Sequence, residues 1–315
     1  MKTSFAIDKI ITLEINGSRQ QIRICARSIG LPPILIVQAG PGFPLLNEVN
    51  KFQLRLNLEA GFTVIHWDQR GCGIASRQDA ISVSMQQQID DLRAVLKWVN
   101  DETRQAVILF GISLGATISL QAAELALDNV RAVIAISTDA HTADSDESAL
   151  SFLKRQSEIA GNARIRAQLM KLGAPPYVDP ASFQLRARML ADLEGIERGR
   201  RFGALLRETL SSVVKTYGFL GAIQVMRNMN RVQRNLLPQL ASLNLLSNPP
   251  RLAVPVYYVF GEQDPLVPTG IIRGLPKAIS APKITVRLVN NAGHMVHFDQ
   301  PAVVRSIVMS IGYGK

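Results

Sequence analysis

Six short apolar runs constrain this chain more than any other feature: Ile34–Val37, Thr63–Ile65, Ala106–Phe110, Val130–Ile136, Val254–Phe260 and Ile284–Val289. Runs of this length, rich in β-branched residues, suit strands buried on both faces of a parallel sheet. Helical patterns lie between them. Met85, Ile89, Leu92, Leu96 and Val99 recur at steps of four and three, which is one face of a helix. Leu114 to Leu127 is rich in Ala and Leu and lacks proline, and Val303, Val304, Ile307, Val308 and Ile311 mark a last helix. At the front, Phe5–Ile15 and Gln20–Arg27 flank Asn16-Gly17, a strong hairpin signal. A hairpin followed by repeated strand–helix units predicts an α/β fold, with a mostly parallel central sheet and helices on both faces. The alternation lapses from about Asp139 to Pro250, where patterns are helical and Gly173–Pro180 reads as a loop around Pro175-Pro176. The chain has 315 residues, and single cores stop growing at roughly 250–300 residues. A core formed by residues 1–138 and 250–315, with a helical cap inserted at 139–249, is therefore expected.

Gly111-Ile112-Ser113-Leu114-Gly115 joins one apolar run to a helical pattern. A strand turning sharply into a helix strains the backbone at the serine and holds its hydroxyl out at the carboxyl edge of the sheet. Glycines on either side remove side chains that would clash in so tight a turn. Ser113 is the expected nucleophile. A serine hydroxyl needs a base to take its proton. The chain has four histidines. His66 falls in a strand and reads as a packed residue, and His141 precedes the cap. His294 lies in Asn291-Ala292-Gly293-His294-Met295, a loop between the last strand and the last helix, and is the expected base, with His297 as the fallback. The acid belongs between nucleophile and base in chain order. Asp264, beyond the strand ending at Phe260, is the expected acid, ahead of Glu262 and of Asp139, the runner-up. A carboxylate there would fix the imidazole tautomer and stabilise the imidazolium. The loop Gln38-Ala39-Gly40-Pro41-Gly42 follows another strand, so the Gly40 N–H joins the Leu114 N–H as the expected oxyanion hole.

Composition removes several other classes. Apolar residues make up 47% of the chain and charged residues 19%, enough for a large core and unlike a disordered chain. The net charge is +10, but the basic residues are spread out and no recognition motif accompanies them, so no nucleic-acid partner is expected. No run reaches the ~20 apolar residues a membrane span needs, and Met1–Lys9 has no signal-like apolar core. Two cysteines, Cys25 and Cys72, have no metal-binding spacing and allow at most one disulfide. A soluble cytoplasmic protein, with no metal-binding spacing, is the expectation.

Three segments together resemble a known family. Gly40-Pro41-Gly42, the stretch Trp67-Asp68-Gln69-Arg70-Gly71-Cys72-Gly73-Ile74-Ala75-Ser76, and Gly111 to Gly115 are similar to the proline iminopeptidase-like branch of the α/β-hydrolases. Glu262-Gln263-Asp264 and Gly293-His294 extend the resemblance, which covers roughly residues 5–138 and 250–312. It implies a helical cap over a Ser-His-Asp triad, no metal or organic cofactor, and cleavage of an amide or ester in a small molecule, often the N-terminal residue of a short peptide. Asp68 to Gly73 is expected to be structural, with Arg70 tying neighbouring loops. Two positions depart from the family pattern: Gln38-Ala39 replaces its usual His-Gly, and Leu114 replaces its usual Trp. Residues 139 to 250 carry 15 Lys and Arg against 10 Asp and Glu. That balance points away from a cap built for a substrate ammonium and toward another amide, ester or lactone. An iminopeptidase-type aminopeptidase, an acyltransferase or cyclase, and a non-hydrolytic binding homologue are the alternatives.

Overall fold

The computed structural model describes residues 5–75, 83–124, 128–159, 161 and 163–312. Met1–Ser4, Ser76 of the family-like stretch and residues 125–127 of the expected helix lie outside the described residues. Eight strands form one sheet: β1 Ile7–Ile15, β2 Ser18–Ala26, β3 Pro33–Val37, β4 Thr63–Asp68, β5 Val107–Ile112, β6 Val130–Ile136, β7 Val256–Gly261 and β8 Ile284–Val289. Their spatial order is β1-β2-β4-β3-β5-β6-β7-β8. The first two pairings, β1–β2 and β2–β4, are antiparallel and the remaining five are parallel. The hairpin turns at Asn16 and Gly17, both at positive φ, as a two-residue turn between right-twisted strands requires. Strand β7 starts two residues later than the apolar run suggests, because Pro255 has no N–H to give the ladder. Its carbonyl still accepts from Val133.

Helices cover both faces. Helix α1 spans Val49–Arg55, α2 Met85–Thr103 and α3 Leu114–Ala123. Ser84 caps α2 reciprocally with Gln87, which stops the chain from fraying at that end. Beyond β7 come α8 (Thr269–Ala278), α9 (Val296–Asp299) and α10 (Pro301–Gly312). Alternation along the strands sorts the core. Leu35, Val37 and Leu109 pack with Leu92, Leu96, Ile118 and Leu275 on the α2, α3 and α8 side. Ile34, Ile36 and Phe110 face the other way, onto Phe52 of α1 and Val304 and Val308 of α10. Each such side chain contributes roughly 1.5–3 kcal/mol by leaving water.

Between β6 and β7 the described chain holds only helices: α4 Thr142–Ile159, α5 Ala163–Leu172, α6 Pro180–Asp192 and α7 Phe202–Leu240. Helix α7 is broken at Gly218, whose φ of 73° and ψ of 173° are not helical. This insertion has its own small core, including Leu153, Tyr177, Met189 and Leu190. It is bonded to the sheet edge. The Tyr217 hydroxyl donates to Asp68 at 2.6 Å, Asn228 to the Gly73 carbonyl at 3.1 Å and Gln233 to the Pro41 carbonyl at 3.3 Å. Beneath, Arg70 forks onto both oxygens of the fully buried Asp91 (2.8 and 2.9 Å) and reaches the Asn16 carbonyl at 3.0 Å. It thereby joins the hairpin, α2 and the loop after β4. No helix among the described residues is long and apolar enough to cross a membrane.

Candidate active site

Strand register brings the expected residues to one edge. Ile112 pairs with Ile136, Ile136 with Val259, and Gly261 with Val289, so the chain leaves β5, β6, β7 and β8 side by side. Ser113 follows β5 with φ 53° and ψ −117°, outside the allowed regions for a residue with a side chain. Two bonds hold the strained turn: the Ser113 N–H donates to the Ile136 carbonyl (2.8 Å), and the Ala116 N–H to the Ser113 carbonyl (3.0 Å). Its glycines are sterically required. A Cβ on Gly115 would stand 2.2 Å from the Val37 carbonyl oxygen, and one on Gly111 2.6 Å from Cα of Ala116. Ser113 is partly exposed, and its hydroxyl makes no hydrogen bond among the described residues. Contacts of this kind often tighten only when substrate is bound.

His294 and Asp264 come together. The Nδ1 of His294 lies 2.9 Å from Asp264 Oδ2, both residues being buried, and Asp264 Oδ1 accepts from the Leu266 N–H at 2.8 Å. Burial opposes charge on the imidazole. The Asp264 carboxylate, through its charge and its hydrogen bond, and then Asp139 outweigh that penalty, so His294 titrates above the ordinary imidazole value. Asp139 lies close to Ser113 and influences His294: its N–H reaches toward the Ser113 carbonyl at 3.5 Å, and its charge acts on His294. It accepts from Ser145 at 3.2 Å and from Thr142 at 3.5 Å, not from the imidazole. Loss of water raises its carboxyl above the usual range, with Arg186 of α6 pulling the other way. Glu262 is exposed. His297, the fallback base, is fully buried, with its ring 5.5 Å from that of Phe52 and 4.1 Å from that of Phe298. His66 lies inside β4 as expected, edge-on to Phe52, and burial lowers it to about 3.

The Gly40 loop sits beside the Ser113 turn because Val37 pairs with Gly111. Gly40 (φ 68°) and Gly42 (φ 83°) take left-handed conformations, and a Cβ on Gly42 would press on the Met229 backbone of α7 at 2.9 Å. Gln38 replaces the family's histidine with its own bridge. Its Oε1 accepts from the Ala39 N–H at 2.9 Å and its Nε2 donates to the Pro44 carbonyl at 3.2 Å. Neither the Gly40 nor the Leu114 N–H meets an acceptor among the described residues. Sequence reasoning missed the insertion's side of this site: Tyr217, Asn228 and Gln233 against Asp68, Gly73 and Pro41, Arg186 near Asp139, and the Gly195–Arg198 segment beside His294. Scattered polar residues in helical sequence carry no spacing signal that marks them. Among the described residues, no group of three or more His, Cys, Asp or Glu could hold a metal ion, and both cysteines are free.

The sheet order and its flanking helices define the class of fold. The chain matches the family model for the alpha/beta hydrolase fold over residues 32–301, and it belongs to that family. It is 26% identical over 308 residues to the protein named "Probable aminopeptidase YbaC" of Bacillus subtilis (strain 168), covering 96% of this chain and 95% of that one. Among solved structures, proline iminopeptidase from Mycobacterium smegmatis superposes with a TM-score of 0.66 at 18% identity, covering 97% and 98% of the two chains. E-2-(acetamidomethylene)succinate hydrolase does so at 0.61 and 20% identity, covering 98% and 99%. At these identities the two structures speak for the shared fold.

Proposed function

We propose that this protein is a serine hydrolase that cleaves an amide or ester bond of a small molecule through an acyl-enzyme. The observation that carries the proposal is the buried His294–Asp264 pair, at 2.9 Å, on the same sheet edge as a serine held in a strained turn. Ser113 attacks the carbonyl carbon as His294 Nε2 takes the hydroxyl proton. Asp264 keeps the other ring nitrogen protonated and stabilises the imidazolium. The N–H groups of Gly40 and Leu114 donate to the developing oxyanion; removing one such donor costs about 3–4 kcal/mol of transition-state stabilisation in comparable sites. His294 then protonates the departing amine or alcohol, and water repeats the attack to release the acid. Residues 139–249 act as the cap that shapes the pocket. A cytoplasmic location belongs to the same proposal, resting on two free, buried thiols.

The full-length similarity to a protein named a probable aminopeptidase favours a second reading, removal of an N-terminal residue from a short peptide. Turnover of p-nitrophenyl esters against amino-acid p-nitroanilides separates the two. The mechanism itself is tested with a fluorophosphonate probe. Stoichiometric labelling at Ser113, absent in Ser113→Ala, is the expected result; a pure, folded protein that resists the probe would sink the proposal.

A further inference from the structure

The base loop is held by the insertion as well as by the sheet. Between α6 and α7 the chain runs back over the sheet edge. There the Gly195 carbonyl accepts from the His294 N–H at 3.2 Å, and the Ile196 carbonyl accepts from the Met295 N–H at 2.8 Å. The contact leaves no spare room. A Cβ on Gly293 would stand 2.9 Å from the Gly195 oxygen, and a Cβ on Gly195 would stand 2.8 Å from the ring of Pro265, the residue after Asp264. Gly195 therefore abuts the loops of both the base and the acid.

One carboxylate spans this seam. Asp299, the last residue of α9, accepts from the Gly293 N–H through Oδ2 at 2.7 Å and from the Arg198 N–H through Oδ1 at 2.8 Å. One oxygen holds the residue before His294, and the other holds the insertion. Next to it, Glu197 is buried and pairs with Lys51 of α1 at 2.7 Å and with Arg200 at 3.0 Å, so the same segment is also tied to the core. An ionised carboxylate accepting from two amides makes short, strong hydrogen bonds that fix both partners in angle as well as distance.

We propose that Asp299 is a positioning residue for His294: by bonding Gly293 and Arg198 at once, it makes alignment of the imidazole depend on the seating of the cap segment Gly195–Arg198. This rests on the Ser113–His294–Asp264 reading above. Asp299→Ala removes both bonds. Asp299→Asn keeps the shape but leaves one acceptor oxygen for two N–H groups, and it guards against an alanine variant that fails to fold. The readouts are kcat and KM on a p-nitrophenyl ester, the rate of fluorophosphonate labelling, the pH profile of kcat/KM and the melting transition.

Small misplacements of a catalytic group cost up to about 100-fold in rate. For both variants we expect kcat and labelling rate to fall about 10- to 100-fold with KM within about twofold. The acid limb of kcat/KM should move to lower pH, because a misaligned ring loses part of its bond to Asp264. Asp299→Glu should restore part of the rate. If the wild-type protein labels at Ser113 and a cooperatively melting Asp299→Asn labels at the wild-type rate with an unmoved limb, the positioning role is wrong and the triad stands. If the wild-type protein does not label at all, both fall together.

Discussion

Ser113 is the residue whose conformation is least explained by local preference. A non-glycine backbone at φ 53° and ψ −117° costs on the order of 1–3 kcal/mol and persists only where the surroundings over-determine it. In the proposed mechanism His294, on the same sheet edge, must be neutral to accept the Ser113 proton, and its folded pKa lies above the ordinary imidazole value. The acid limb of kcat/KM should therefore fall above about pH 6.5. Asp264→Asn should move that limb down and lower kcat about 10⁴-fold, since the ring loses both its charge partner and its tautomer. A pH–rate series on both proteins checks this. His66 gives the opposite lesson, in stability. It is neutral when folded, with a value near 3, while the unfolded ring takes a proton below about 6.5. The unfolded state thus binds more protons between those limits, and stability is lost as pH falls through them, by roughly 5 kcal/mol at the acid end. His66→Leu should flatten the dependence of the urea midpoint on pH between 7 and 4.

At the scale of elements, the site depends on how closely α3 approaches the end of β3. The Gly115 position leaves 2.2 Å between a would-be Cβ and the Val37 carbonyl oxygen, and 2.6 Å to that of Gln38. Neither atom can swing aside as the tip of a flexible side chain could. Gly115→Ala should push the helix off the loop that carries Gly40, costing about 1–3 kcal/mol or more in stability. Activity should fall further than stability does, because the two N–H groups proposed to hold the oxyanion, those of Gly40 and Leu114, lie on the two elements being forced apart. Thermal melting and kcat measured on the same preparation check it. The insertion meets this loop too, Gln233 reaching Pro41, and the loop after β4, Asn228 reaching Gly73, so helix α7 braces the Gly40 side as the Gly195–Arg198 segment braces the His294 loop.

For the whole molecule, the buried ion pair of Arg70 and Asp91 is the joint between the antiparallel front of the sheet and its parallel remainder. Asp91 also accepts from Asn16 at 2.9 Å and from Gln20 at 2.7 Å, and Gln20 in turn accepts from the indole of Trp67 at 2.8 Å. Arg70→Met would leave the carboxylate buried without its cation. It should destabilise the protein by about 3–5 kcal/mol, read as a drop in urea midpoint, with little change in KM because no substrate group is touched.

Much of this was legible in the chain. Apolar runs and helical periods marked the strands of this α/β sheet to within a few residues at most ends, because burial on both faces leaves a signature in β3 to β7; the edge strands β1 and β8 are largely exposed and were marked by the Asn16-Gly17 turn and by a β-branched run. Local punctuation singled out Ser113 and its glycines, the Gly40 loop, and the loops of Asp264 and His294, since a turn that must approach another backbone tolerates few residue types. The choice among acids and among bases was different. Only packing showed that Asp264, not Asp139, bonds the imidazole, and that His297 is a ring buried among Phe52 and Phe298. The same holds for the seam at Gly195, Arg198 and Asp299. Its cross-seam bonds join residues about 100 positions apart, and each has a backbone group on at least one side; backbone groups are the same in every residue, so the sequence does not mark which partner the Asp299 carboxylate meets.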